Sequence, residues 1–215
     1  SMTSDECLPF YNSIGLSIRV SEKASPAFQN RVLQFSTNAN WFNFEGYNTF
    51  YEKVQHMKNH INCASTNFVG AMRLILDAVL EANLNPKDVS DMILVVFSDM
   101  QINVGNYGAK FDDVMYDQIK EMYKSAGENS KYRTPFNPPH IVFWNLRKTS
   151  GFPTSTTEKN VTMLSGYSDV ILNNFLEKGV GALKEYSPYD MFYDIVNHDN
   201  YKMLNIYFND YFMPL

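Results

Sequence analysis

The residues Ile93-Leu94-Val95-Val96-Phe97 run apolar without a break and end in Ser98-Asp99. A strand that is apolar on both faces leaves neither face to water. It belongs inside a parallel sheet covered by helices. HIVFWNLR (140–147) and NVTMLSG (160–166) read as further strands. Amphipathic stretches surround them. Residues 5–24 place Leu8, Tyr11, Ile14 and Ile18 on one side, and residues 48–61 do the same with Phe50, Val54, Met57 and Ile61. Residues 67–82 carry Phe68, Met72, Ile75, Val79 and Leu80; residues 111–126 carry Phe111, Met115, Ile119 and Met122. Asn83-Leu84-Asn85-Pro86 ends the third of these helices and Gly127 the fourth. Ser168 caps a helix that stops at Gly179, and Ser187-Pro188 opens the last one.

RVLQFST (31–37) and NWFNFEG (40–46) are strand-like, with a short polar join at Asn38-Ala39-Asn40, so they form an antiparallel hairpin. The expected fold is therefore α/β. It is a Rossmann-like, mainly parallel sheet with one antiparallel edge hairpin and helices on both faces. The chain has 215 residues, 45% of them hydrophobic, and neither a linker nor an internal repeat. It is expected to be a single domain over 1–215, with a tail rich in Tyr and Phe that holds Tyr201, Tyr207, Phe208, Tyr211 and Phe212.

Composition removes several function classes. The net charge is -5 and no basic run occurs, so direct nucleic-acid binding is not expected. No apolar run reaches the roughly 18–20 residues of a membrane span, and no signal region opens the chain, so no membrane partner is expected. Cys7 and Cys63 cannot build a disulfide framework and suit a reducing, intracellular compartment. Asn160-Val161-Thr162 is a glycosylation sequon by its triplet alone.

Ligands in open α/β sheets sit beyond the carboxyl ends of the strands, which is where Asp99 stands. Taken alone, Asp99 is more readily a turn residue. Ser65-Thr66 opens the helix that precedes the Asp99 strand, and Thr66 alone is a helix cap. Together Thr66 and Asp99 share one rim, with Ser65 and Ser98 beside them. Hydroxyl and carboxylate oxygens are hard ligands, suited to Mg²⁺ or Mn²⁺ rather than Zn²⁺. Asp112, Asp113 and Asp117 with Asp99 offer a carboxylate cluster for metal-dependent hydrolysis, though acids in a first helical turn explain most of that pattern. His56, His60 and Cys63 stand at i, i+4 and i+7 on one helical face, a zinc-like spacing that lacks a fourth ligand. No nucleophile elbow, Walker motif or dinucleotide fingerprint occurs.

The hairpin, the Thr66 segment and VVFSDMQIN resemble a von Willebrand factor A-type domain. TNFVGAMRLILDAVLEANL, HIVFWNLRKTSGFP, VTMLSGYSDVILNNFLEKG and SPYDMFYDIVNHDNYKML narrow the resemblance. They are similar to a family of unknown function in giant DNA viruses, plants and fungi, related to the A-type domain of Ro/TROVE RNA-binding proteins. The likeness covers about residues 5–205, nearly the whole chain. It implies a metal-ion-dependent adhesion site in which Thr66 supplies the threonine and Asp99 the aspartate. A carboxylate from the partner then completes the metal's shell. The implied function is a non-enzymatic protein-interaction module that binds a protein partner or self-associates. The alternatives are a ribonucleoprotein-associated domain and the hydrolase named above. The implied location is intracellular, or virus-associated if the source is a virus.

The sequence departs from that family pattern at one place. Asp-x-Ser-x-Ser, the adhesion site's first motif, does not occur. The resemblance locates it where the chain reads Ser1-Met2-Thr3-Ser4-Asp5. Ser1 is then either a native piece of that motif, and a third metal ligand, or a cloning leftover before an initiator Met2. In both cases the first central strand is missing from this sequence. The expected metal affinity is weak or nil, and the site is a remnant. Three arrangements fill the missing strand's place. The 31–37 strand pairs directly with the 93–98 strand, another chain donates a strand, or MLNIYF (203–208) inserts. Direct closure is the favoured expectation.

Overall fold

The computed structural model describes residues 8–35, 39–60, 67–98, 113–146 and 160–165, with Leu172, Phe175 and Leu176. The chain divides into two compact units, Ser1–Gly166 and Tyr167–Leu215. In the second, the three described residues are helical and Phe175 is buried. The expected helix starts at Ser168 and Ser187 and the aromatic tail lie outside the described residues.

The first unit opens with α1 (Leu8–Glu22) and the hairpin β1 (Arg31–Gln34) and β2 (Asn40–Asn43). The hairpin is antiparallel as expected, with Val32 opposite Phe42 and Leu33 opposite Trp41. Strand alternation then sorts these pairs onto opposite faces. Val32, Phe42 and Phe44 pack with Ile14 and Ile18 of α1 and with Met57 of α2 (Phe50–His60). Leu33 and Trp41 turn toward a second, larger core.

That larger core lies on the parallel sheet. α3 (Phe68–Glu81), a short α4 (Pro86–Ser90) and β3 (Ile93–Ser98) follow in order. Then come α5 (Asp113–Asn129), β4 (His140–Asn145) and β5 (Val161–Ser165). The three strands are parallel in the order β3-β4-β5. Phe68, Met72, Ile75 and Val79 of α3 meet Met115, Ile119 and Tyr123 of α5 over Val96, Ile141 and Phe143. The Tyr123 hydroxyl donates to the Met72 carbonyl at 3.2 Å and ties the two helices together. Burial, and secondarily the charge of Asp77, push its phenol far above the ordinary range.

Several sequence expectations change here. The α/β class stands, but the hairpin is not the edge of one continuous sheet. Among the described residues it forms its own two-stranded sheet, in which β1 pairs with β2 and not with β3, against the expected direct closure. Side chains connect the two sheets instead. Phe35 stands edge-on to Phe68 at 5.9 Å, and Phe68 lies against Phe143 at 5.9 Å with the rings tilted by 39°. Among the described residues β4 is the middle strand and is buried from Ile141 onward, whereas Ile93 of β3 is 40% exposed.

The helices differ from expectation in their detail. Phe50, Tyr11 and Leu80, expected to face inward, are exposed. On α2 the buried place goes to Lys53, whose ammonium reaches the Glu22 carboxylate at 2.9 Å and the Asn30 side-chain oxygen at 3.4 Å. Asn30 enters β1 in the left-handed region (φ 57), which asparagine tolerates better than most residues. Asn85-Pro86 proves a start signal as well as a stop. Asn85 caps α4 by accepting from the Asp88 amide at 2.9 Å. Gly127 does not end α5, which runs on to Asn129. A Cβ at 127 would run into the backbone of Thr134 and Phe136, so glycine lets the following chain pass close to the helix.

Candidate functional site

Three apolar runs, ILVVF, HIVFW and VTML, each finish on a short polar residue. Parallel pairing brings those residues level. Ser98 pairs with Asn145, and Asn145 with Ser165, at the carboxyl ends of β3, β4 and β5. Ser98 is 6% exposed and Asn145 1%, so two polar side chains are buried next to each other at the rim. The Leu146 amide donates to the Ser98 carbonyl at 3.1 Å, continuing the parallel hydrogen bonding past the last rung. Asn145 was missed by sequence reasoning. The signal for it was present in the shared pattern of an apolar run and a polar stop.

The amino end of α3 belongs to the same rim. Phe68 opens that helix and packs against Phe143, which lies two residues before Asn145. The helix cap is Asn67, whose side-chain oxygen accepts from the Gly70 amide at 2.9 Å. The capping role open to Thr66 is therefore already filled. Thr66, Ser65, Asp99 and Ser1 lie outside the described residues. The chain neighbours of the two main candidates, Asn67 and Ser98, are both described, and both stand at this carboxyl rim.

The remaining candidates resolve differently. Asp112 lies outside the described residues and Asp113 begins α5. The Asp117 side chain is 72% exposed and pairs with Lys120 at 3.3 Å on the helix surface. Among the described residues, no group of three His, Cys, Asp or Glu side chains is placed to hold a metal ion. His56 stands against Phe42, Phe44 and Tyr47 and bonds the Tyr47 hydroxyl at 3.0 Å. His60 bonds the His56 carbonyl at 2.7 Å, and Cys63 lies outside the described residues. At the opposite, amino end of the sheet, His140 bonds Asn160 at 3.2 Å and Thr162 at 2.8 Å. The Asn160 amide nitrogen donates to the carbonyls of both Pro138 and Pro139. The sequon asparagine thus fastens β5 to the entry of β4, and its nitrogen is engaged in that bonding. Among the described residues, no helix is long and apolar enough to cross a membrane.

An α/β unit with a buried polar rung at the carboxyl ends of parallel strands is the class that these elements define. The chain belongs to the family described as a domain of unknown function, DUF7788, which matches residues 1–203. It is also similar to an uncharacterized protein, L728, of Acanthamoeba polyphaga mimivirus, at 29% identity over 185 residues. That alignment covers 85% of this chain and 29% of the viral protein, so the chain spans under a third of that relative's length. No solved structure matches.

Proposed function

We propose that the chain is a von Willebrand factor A-type interaction module that binds a protein partner at the carboxyl rim of its parallel sheet. Asp99 and Thr66 hold a hard divalent cation there, Mg²⁺ or Mn²⁺, with low affinity. The observation that carries this reading is the level rung Ser98–Asn145–Ser165, which ends three parallel strands on polar side chains directly before Asp99. Such an end is where open α/β sheets take ligands. Asn67 caps α3, so the helix start does not call for Thr66 in that role. The donor chemistry fits the ion. Hydroxyl, amide and carboxylate oxygens suit Mg²⁺ or Mn²⁺, and no imidazole or thiolate is part of the set. When bound, the cation supplies a Lewis-acidic point that attracts a partner's carboxylate. The chain's own residues hold that point at the carboxyl rim, over the buried polar pair Ser98 and Asn145. A protein is favoured over a nucleic acid because a net charge of -5 repels phosphate.

The test is capture of partners from a eukaryotic cell extract in Mn²⁺ and in chelator, with wild-type chain and Asp99→Ala, followed by light scattering for self-association. The reading expects a protein held by the wild type in Mn²⁺ and released by both chelation and the substitution. Capture that ignores both removes the rim from partner binding.

A further inference from the structure

We propose that His56 and His60, at the carboxyl end of α2, form a two-nitrogen site for a borderline divalent transition metal such as Zn²⁺, Ni²⁺ or Cu²⁺. The two histidines are one helical turn apart, so they share a face. Their ring centroids are 4.8 Å apart at a tilt of 46°. The hydrogen bonds then select the tautomers. His60 Nδ1 lies 2.7 Å from the His56 carbonyl oxygen, which can only accept. Nδ1 therefore carries the proton, and the neutral ring keeps its lone pair on Nε2. His56 Nδ1 lies 3.0 Å from the Tyr47 hydroxyl, which accepts as readily as it donates. With that oxygen accepting, His56 also offers Nε2. This is the outer arrangement of metal-bound imidazoles, in which the second N–H is held by a carbonyl or another oxygen.

Packing prepares the pair further. The His56 ring is fixed between Phe42, edge-on at 5.5 Å, and Tyr47 at 4.9 Å. His60 is exposed, so a metal can reach the site from solvent. His60 is also the last residue of α2, where the helix dipole favours a cation. Imidazole nitrogen selects Zn²⁺, Ni²⁺ or Cu²⁺ over Mg²⁺ and Mn²⁺, so this site is chemically separate from the oxygen-lined rim. Water fills the remaining positions. Cys63 is not needed.

The experiment titrates Cu²⁺ into the full chain carrying Cys7→Ser and Cys63→Ser, with Mg²⁺ in excess. It is read by calorimetry and by electron paramagnetic resonance. One Cu²⁺ per chain, with splitting from two imidazole nitrogens, is expected. His60→Ala weakens binding by about tenfold or more, and it leaves the melting temperature of the metal-free chain within about 1 °C because His60 lies outside the core. Asp99→Ala leaves Cu²⁺ binding unchanged, so failure of the rim reading and failure of this one are distinguishable. Signal from a single imidazole, or equal binding by His60→Ala, overturns the proposal.

Discussion

Ser98 and Asn145 are register partners at the carboxyl ends of adjacent parallel strands, and both are buried. Buried polar groups are retained where they are bonded or where the site uses them. Asn145 is not without a partner, and removing a buried amide that bonds a polar group leaves that group unmatched. Asn145→Leu is therefore expected to cost about 1–3 kcal/mol of stability, even though it adds apolar volume. Urea denaturation measures this directly. A neutral or stabilising result would show that the rung is not a bonded polar feature.

Phe68 is one of the rings that connect the hairpin to the parallel sheet, touching Phe35, just after β1, on one side and Phe143 on the other. Phe68→Ala should cost about 3–5 kcal/mol, as for large core truncations. The two tryptophans give a further readout, since Trp41 is in β2 and Trp144 in β4. In single-tryptophan variants both signals are expected to change together in the parent chain and to separate in Phe68→Ala. Transitions that stay coincident after the substitution would mean that another contact joins the two sheets.

Glu22 is pulled in two directions. Partial burial raises its pKa, while the hydrogen bond and charge of Lys53, with help from Arg19, lower it further than burial raises it. The net direction is downward. An acid with a depressed folded pKa contributes stability above its unfolded pKa and loses it as pH falls through the folded value. Lys53→Met should therefore destabilise the chain at neutral pH by about 1.5–3 kcal/mol. The gap between variant and parent should close in acid below the usual glutamate range, because protonated Glu22 no longer rewards the ammonium. Urea midpoints from neutral pH down to about pH 3 check this. A gap that stays constant would assign the effect to packing of the lysine stem.

His56 makes a different demand. Its folded pKa is lowered, so below the ordinary histidine range the unfolded chain binds a proton that the folded chain refuses. Stability should fall between about pH 7 and pH 5.5, and His56→Gln should flatten that fall. An unchanged slope in the variant would mean that another histidine carries the dependence.

The elements that were legible in the sequence are those set by one strong local pattern. The unbroken apolar runs located β3 and β4, and the helical spacing of Phe68, Met72, Ile75 and Val79 located the inward face of α3. Residues whose placement depends on partners far along the chain were misread. Phe50 was given the buried place on α2, but that face opens onto Glu22 and Asn30, which call for the ammonium of Lys53 instead. Gly127 looked like a stop because its actual reason, the backbone of 134–136 crossing the helix, is invisible locally. The order of the strands was also beyond local pattern. An outer strand and a middle strand can be equally apolar, and among the described residues it is the pairing of β4 with both β3 and β5 that puts β4 in the middle. At the rim, Ser98 was legible beside Asp99, whereas Asn145 needed the register of β3 on β4 to acquire meaning.

Asp99 and Thr66 are proposed to form a hard-cation site at this rim. Mn²⁺ binding, followed together by electron paramagnetic resonance and thermal shift, tests it most directly. Ligand linkage at ten times the dissociation constant gives about 1.4 kcal/mol, a rise of roughly 3–5 °C for a chain of this size. One weakly bound Mn²⁺ with that rise is expected, displaced by Mg²⁺ and lost in both Asp99→Ala and Thr66→Ala, while His60→Ala leaves it intact. A melting temperature that Mn²⁺ does not move, with no bound Mn²⁺ in the resonance spectrum and no response to Asp99→Ala, would contradict it.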